Sequence, residues 1–271
     1  MPEHYFERCN SLDAPVFEGV EFVEIATRNR VALESLLLSL GFAAQAKHRS
    51  KEVTLYRQGN INLLLNSTEG SFAAKYAASH GSAVCALGLR TANASSAYQN
   101  LIARGAWETA TSAGAMELNI PAIESIGGSQ IYLIDRYADG ISIYDIDFKA
   151  IPDAPADPGL LQNLRELRLT MEPERLAPWR DFFRQLFGFQ ADSANSIVID
   201  THTGLRFEAN GRPDLLDERI DTLVFTAEDL EKTRAHLVTQ GLELRTVEGA
   251  QKMFEVLTPS DTLSIRILIA S

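Results

Sequence analysis

Apolar positions along the chain follow two periods that take turns. Val20-Glu21-Phe22-Val23-Glu24-Ile25 alternates as a strand does. Leu33, Leu36, Leu37 and Leu40 then recur at steps of three and four, which predicts a helix over 31–40 with one apolar face. Gly41-Phe42 follows, and a glycine there suits the left-handed residue that closes a helix. The order returns three times. Val84 to Leu89 leads to a helix around 95–103 and then Gly105. Leu164 to Met171 leads to 177–186 and Gly188, and Ile220 to Thr226 leads to 229–239 and Gly241. Asn93 and Glu228 or Asp229 are the expected caps or first-turn acids.

Further strands are expected behind each helix. Val53 to Arg57 and Ile61 to Leu65 flank Gln58-Gly59-Asn60, a hairpin signal. The second copy offers Gln130 to Asp135 and Ile143 to Phe148. The third offers Ser196 to Asp200 and Leu205 to Ala209, and the fourth Phe254 to Leu257 and Leu263 to Ile269. Each copy reads as strand, helix, then two or three strands. Ile151 to Gly159 carries three prolines and reads as a linker. The expected division is a tail over 1–16, one domain over 17–150, the linker over 151–159, and a shorter second domain over 160–271. The fold class is α+β, with tandem βαβββ modules.

Composition narrows the partners. The 271 residues hold 25 Lys plus Arg against 36 Asp plus Glu, a net charge of −11. An acidic chain is poorly suited to nucleic acid phosphates or to an anionic membrane surface. Its longest apolar run, Ile265 to Ala270, is far below the roughly 20 residues of a membrane helix. The start, Met1-Pro2-Glu3-His4-Tyr5, does not look like a signal peptide. Cys9 and Cys85 alone cannot build a disulfide framework. A soluble, reduced, cytoplasmic protein is expected.

Four βαβββ units in two pairs resemble the vicinal oxygen chelate architecture, in which two units form one half-open sheet. Gly19 to Glu24, His48-Arg49-Ser50-Lys51-Glu52-Val53-Thr54-Leu55-Tyr56-Arg57-Gln58-Gly59, and Ile131 to Tyr137 followed by Ser142 to Phe148 resemble the N-terminal domain of bacterial 4-hydroxyphenylpyruvate dioxygenases. A similar arrangement is found fused behind dehydroshikimate dehydratase domains. The resemblance is close over about residues 17–150 and thinner over 160–271. It implies an iron(II) oxygenase acting on an aromatic 2-oxo acid. Two His and one Glu of the C-terminal domain would hold the metal and leave positions open. Carried onto this chain, the first His position is Glu166, the second is Thr222, and the Glu position is Ile265 or Arg266. None of the three expected ligand types is present. His4, His48, His80, His202 and His236 fall in other places: tail, strand approach, loop, hairpin and helix. The resemblance also implies a closing C-terminal helix, for which the second domain is short.

Alternation assigns Glu166 and Arg168 to one strand face, Arg206 and Glu208 to another, and Thr222 and Arg266 to two more. If all face one cavity, these six residues line it. Arginine offers a fork that matches carboxylates, so the expected partner is a small anionic or aromatic carboxylate ligand. The bland alternative is a set of salt bridges on a wet sheet face. No cofactor is expected; iron(II) or another divalent metal enters only if Glu166 belongs to an unusual ligand set. A third reading is a non-catalytic partner of an aromatic-pathway enzyme, and a homodimer is open. Glu24, Asp145 and Asp147 form a weaker candidate cluster for a hard cation. Gly127-Gly128-Ser129 reads as a turn, and Cys85 as a small buried residue.

Overall fold

The computed structural model describes residues 14–109, 117–210, 218–249 and 252–271. The first half runs β1 (Gly19–Ala26), α1 (Arg30–Ser39), β2 (Ala43–His48), β3 (Val53–Gln58), β4 (Ile61–Asn66) and α2 (Phe72–His80). It continues with β5 (Ala83–Arg90), α3 (Ala94–Ala103), β6 (Ala122–Glu124), β7 (Gln130–Ile134), α4 (Ile143–Asp147) and β8 (Phe148–Ala150). The second half runs β9 (Asn163–Met171), α5 (Leu176–Phe187), β10 (Gln190–Ser193), β11 (Ser196–Val198) and β12 (Gly204–Ala209). It ends with β13 (Arg219–Thr226), α6 (Leu230–Thr239), β14 (Glu243–Thr246), β15 (Met253–Leu257) and β16 (Arg266–Ala270). The strands form two eight-stranded sheets, ordered β6-β7-β5-β1-β4-β3-β2-β8 and β10-β11-β12-β9-β13-β16-β15-β14. Parallel pairs such as β1 with β4 and β13 with β16 sit beside antiparallel hairpins, so both sheets are mixed. The expected α+β class and repeated βαβββ module are what the chain adopts.

The helices form where the apolar steps place them, and each local cap has a chemical cause. Asn29, Asn93 and Asp229 accept a backbone N–H three residues on and so start α1, α3 and α6. Gly41, Gly105, Gly188 and Gly241 all have positive φ, as expected of residues that follow a helix.

Two local expectations are corrected. Ile143 to Asp147 is a short helix, and only Phe148–Ala150 is strand. Ser142 and Asp145 explain it: Ser142 donates N–H and Oγ–H to Asp145 Oδ2 at 2.9 and 2.6 Å, and Asp145 N–H returns to Ser142 Oγ at 3.2 Å. That reciprocal pair nucleates a helical turn in a sequence that alternates like a strand. His80 closes α2 rather than lying in a loop, with its ring stacked on Tyr76 at 4.2 Å. His48 ends β2 and precedes β3, as expected, and its ring meets Phe148 edge-on at 5.0 Å.

By proximity the chain groups into two compact units. Among the described residues, one comprises 14–21, 86–109, 117–147, 169–210 and 218–219. Its core is aromatic: Phe182, Phe183 and Phe187 on α5 pack with Phe17, Phe189 and Phe207, and Trp107 stacks on Phe182 at 5.7 Å. Trp179 donates its indole N–H to Glu218 at 2.8 Å, and Arg175 pairs with the same carboxylate at 2.6 Å. The other unit comprises residues 22–85, 148–168, 220–249 and 252–271. Leu33, Leu37 and Leu40 of the α1 segment are buried there, and Phe42 meets Phe225 edge-on at 5.9 Å. Gln58, buried, spans two backbones, donating to Leu40 O at 3.0 Å and accepting from Leu161 N–H at 2.8 Å. Asn60 N–H to Gln162 O at 2.8 Å continues this seam, which fixes where β9 begins.

Candidate functional site

The second unit gathers most of the residues singled out from sequence. Gln162 N–H donates to Thr226 O at 2.8 Å and Asn163 N–H to Thr226 Oγ1 at 3.2 Å. β9 therefore starts where β13 ends, and the two run in opposite directions. Counting four residues from this bond along each strand sets Glu166 alongside Thr222. β13 pairs in parallel with β16, and the register joins Thr222 to Arg266. Glu166, Thr222 and Arg266 thus form one row across three adjacent strands. The register also selects Arg266 over Ile265 as the neighbour of Thr222; Ile265 is 2% exposed and precedes the strand.

Each member of the row has a partner that orients it. Glu166 accepts from Arg168 Nε at 2.7 Å, both side chains being mostly covered. Thr222 is fully buried and donates to Asp221 at 3.3 Å. Arg266 gives Nε–H to Glu255 Oε1 at 2.9 Å and Nη2–H to Oε2 at 3.4 Å. Arg245 donates to Glu255 Oε2 from Nε at 3.1 Å and from Nη2 at 2.5 Å. The β14–β15–β16 register explains this grouping, because Arg245 pairs with Glu255, and Glu255 with Leu268, two residues past Arg266. Burial alone would raise the Glu255 carboxyl. The hydrogen bonds and charges of Arg266 and Arg245 outweigh that and hold it below the usual carboxylate range.

Arg206 and Glu208 belong to the other unit. They alternate on β12, both half-buried, with Arg206 paired in register to Ser196. The Glu24, Asp145 and Asp147 cluster is not assembled. Asp145 caps α4, and Asp147 accepts Leu118 N–H at 3.2 and 3.3 Å. Glu24 is buried in the second unit, where it accepts from Asn66 Nδ2 at 2.7 Å. Burial pushes its carboxyl pKa up, against the hydrogen bonds of Asn66 and the Cys85 thiol. Cys85 is buried and its thiol is raised well above the ordinary value by burial and by Glu24. Cys9 and His4 lie outside the described residues.

Two participants were missed from sequence. Glu255 stands between Phe254 and Val256 in a strand, and an acid flanked by buried apolar residues was the available signal. Arg245 lies on an edge strand in a mostly polar stretch, and only the pairing register ties it to Glu255.

The iron(II) site that the resemblance implies needs two imidazoles and a carboxylate. The row offers a carboxylate, a hydroxyl and a guanidinium. Guanidinium stays protonated and has no lone pair to give a cation. These three side chains do not fit a site of two imidazoles and a carboxylate. Among the described residues no group of three or more His, Cys, Asp and Glu is placed to hold a metal ion.

Repeated βαβββ modules in two mixed sheets, with polar residues meeting in a row across β9, β13 and β16, define a protein of the vicinal oxygen chelate class. Comparison with known proteins takes this further. The family described as "Hydroxyphenylpyruvate dioxygenase, HPPD, N-terminal" matches residues 13–149. A 4-hydroxyphenylpyruvate dioxygenase of Pseudomonas sp. (strain P.J. 874) is 36% identical over 255 residues, covering 84% of this chain and 71% of that one. The chain belongs to the 4-hydroxyphenylpyruvate dioxygenase family. Hemolysin VllY of Vibrio vulnificus (strain CMCP6) is 40% identical over 181 residues, 64% of this chain and 50% of that protein. A solved xylose isomerase-like TIM barrel/4-hydroxyphenylpyruvate dioxygenase fusion protein shares the fold at a TM-score of 0.80 and 24% identity, over 96% of this chain and 50% of that one. The chain thus spans between half and about seven tenths of these relatives.

Proposed function

We propose that this family member binds a small anionic ligand, a 2-oxo acid or an aromatic carboxylate, on the polar face of its second sheet, and does not oxygenate it. The observation that carries this reading is the register of Thr222 with Arg266. A fixed guanidinium stands where the family resemblance calls for a metal-binding carboxylate. It replaces a cation that chelates with a cation that donates hydrogen bonds. Glu255 supports the role, because a buried carboxylate restrains Arg266 and limits the rotamer entropy lost on binding. Glu166 and Arg168, in the same unit as Arg266, are the further residues assigned to ligand recognition. Thr222 contributes a buried hydroxyl to the row.

The test uses 4-hydroxyphenylpyruvate, the compound in the relatives' names, with metal-free full-length chain. Binding should raise the melting temperature, since any ligand of the native state does so. Arg266→Ala should remove the shift. A shift that survives replacement of Arg168 and of Arg266 in turn would refute the reading. A second reading, a non-catalytic module working beside an enzyme, draws on the fusion protein that shares the fold. It expects no ligand-induced shift, and co-purification with a separate enzyme.

A further inference from the structure

We propose that a small pocket in the first unit, between the start of α3 and the end of β7, binds an apolar α-amino acid as its zwitterion. The pocket has a volume of about 200 Å³ and lies wholly within that unit. It shares no residue with the row of Glu166, Thr222 and Arg266. Four pieces of chain wall it, and hydrogen bonds pin each one. Asp135 Oδ2 accepts from Ala94 N–H at 3.0 Å and ties the end of β7 to α3. Leu133 N–H donates to Pro121 O at 2.9 Å and holds the segment before β6 against β7. Leu118 N–H donates to Asp147 Oδ1 at 3.2 Å and fixes the other end of that segment. Ile143 N–H donates to Arg136 O at 2.9 Å and sets the start of α4. A cavity with walls fixed in this way needs little ordering when a ligand enters.

Two opposite charges share this pocket with an apolar lining. Leu133, Ile134 and Ile143 are buried there, and Leu118, Ile120 and Pro121 are half-buried. Asp135 and Arg136 also line it, and both are exposed. Asp135 spends one carboxylate oxygen on Ala94 N–H, and a carboxylate has lone pairs to spare for an ammonium. Arg136 has no carboxylate partner among the described residues, and its guanidinium fork matches the carboxylate of a ligand. A plain carboxylic acid would meet the like charge of Asp135, and a plain amine that of Arg136. A molecule carrying both groups meets an opposite charge with each. Asp135 and Arg136 are consecutive and line one small space, so the ligand's two charges must also lie close together, as they do on the α-carbon of an amino acid. The apolar lining then receives the side chain. The volume is below the roughly 300 Å³ at which pockets begin to enclose a drug-sized molecule, which limits the ligand to a single amino acid.

L-Valine, L-leucine and L-phenylalanine are the probes, titrated into the full chain and followed by backbone amide NMR. Saturable shifts at Ala94, Ser95, Leu118 to Ile120 and Leu133 to Arg136 are expected. Analogues of the best binder that lack the ammonium or the carboxylate (for leucine, isocaproate and isoamylamine) should each bind about five-fold or more weakly, the order of one lost charge pair at an exposed site. Arg136→Gln and Asp135→Asn should weaken the amino acid by a similar factor. Both side chains are exposed, so neither variant threatens the fold, and Asp135→Asn keeps an acceptor for Ala94 N–H. A des-amino analogue that binds as tightly as the amino acid, with Asp135→Asn unchanged, would overturn recognition of a zwitterion. Absence of saturable shifts at these residues with all three amino acids would overturn the pocket as a binding site.

Discussion

Replacing Glu255 with Gln probes the ion-pair group on which Arg266 depends. The residue is 5% exposed and accepts from both arginines. A hydrogen bond to a charged group contributes about 1.5–3 kcal/mol net. Solvent reduces that here, because the Arg245 and Arg266 side chains are 62% and 41% exposed. About 0.5 kcal/mol for Arg245 and about 1.5 kcal/mol for Arg266 are reasonable after screening. Glutamine keeps the shape but removes the charge that both arginines meet, so the expected loss is at most about 2 kcal/mol in total. At about 2–4 °C per kcal/mol for a chain this large, the melting temperature should fall by about 4–8 °C. Arg245→Gln should cost only about a quarter of that, in proportion to its screened pair. Thermal unfolding at low and high salt is the assay, and the gap between wild type and variant should narrow as salt rises. The pH dependence has a definite sign. Because the folded-state pKa of Glu255 is lowered, its stabilisation is complete above the ordinary carboxylate pKa and is lost as pH falls through the folded value. A shift under about 1 °C, with acid sensitivity unchanged, would refute a fixed Arg266.

Glu24 carries the opposite sign. Its folded pKa is raised, so its favourable contribution holds in acid and is lost as pH rises through the folded value, at up to about 1.4 kcal/mol per pH unit. Glu24→Gln keeps an acceptor for Asn66, and urea unfolding from acidic to neutral pH should show that decline removed; parallel pH curves would contradict it. Gly127 has φ 61°, and a Cβ there would lie 1.8 Å from Glu218 O. Gly127→Ala should destabilise by about 3 kcal/mol or more, a left-handed penalty of about 1–2 kcal/mol plus the cost of moving backbone; urea unfolding within 1 kcal/mol of wild type would count against that packing. Trp179→Phe leaves Glu218 to Arg175 alone, and should lower stability by about 1–2 kcal/mol through the lost indole hydrogen bond and packing, again read by urea unfolding.

Much of the architecture was legible in the order of residues, because local chemistry and tertiary packing agree there. The α1 and α5 faces, the asparagine and aspartate caps and the Gly188 C-cap need no distant partner to be read. The failures have local causes as well. α4 follows from a Ser142–Asp145 capping pair inside a strand-like alternation, and α2 from an alanine-rich face too small to register as apolar period. At the candidate site, alternation placed Glu166 with Arg168 and Thr222 with Arg266 on their strands, but could not say which strands are neighbours. That depends on register: Thr222 opposite Arg266, and Arg245 opposite Glu255. Glu255 was invisible for the same reason, since its significance lies in two arginines reached across β14 and β16 rather than in its own segment.

If a guanidinium occupies the place of a metal-binding side chain, recognition of the ligand needs no metal. Calorimetry decides it most directly, with 4-hydroxyphenylpyruvate titrated into chelator-treated protein and into protein incubated anaerobically with iron(II). The expected result is the same affinity in both samples, loss of binding in Arg266→Gln, and no iron retained after desalting. One iron retained per chain, lost in Glu166→Ala and required for the ligand to bind, would contradict it.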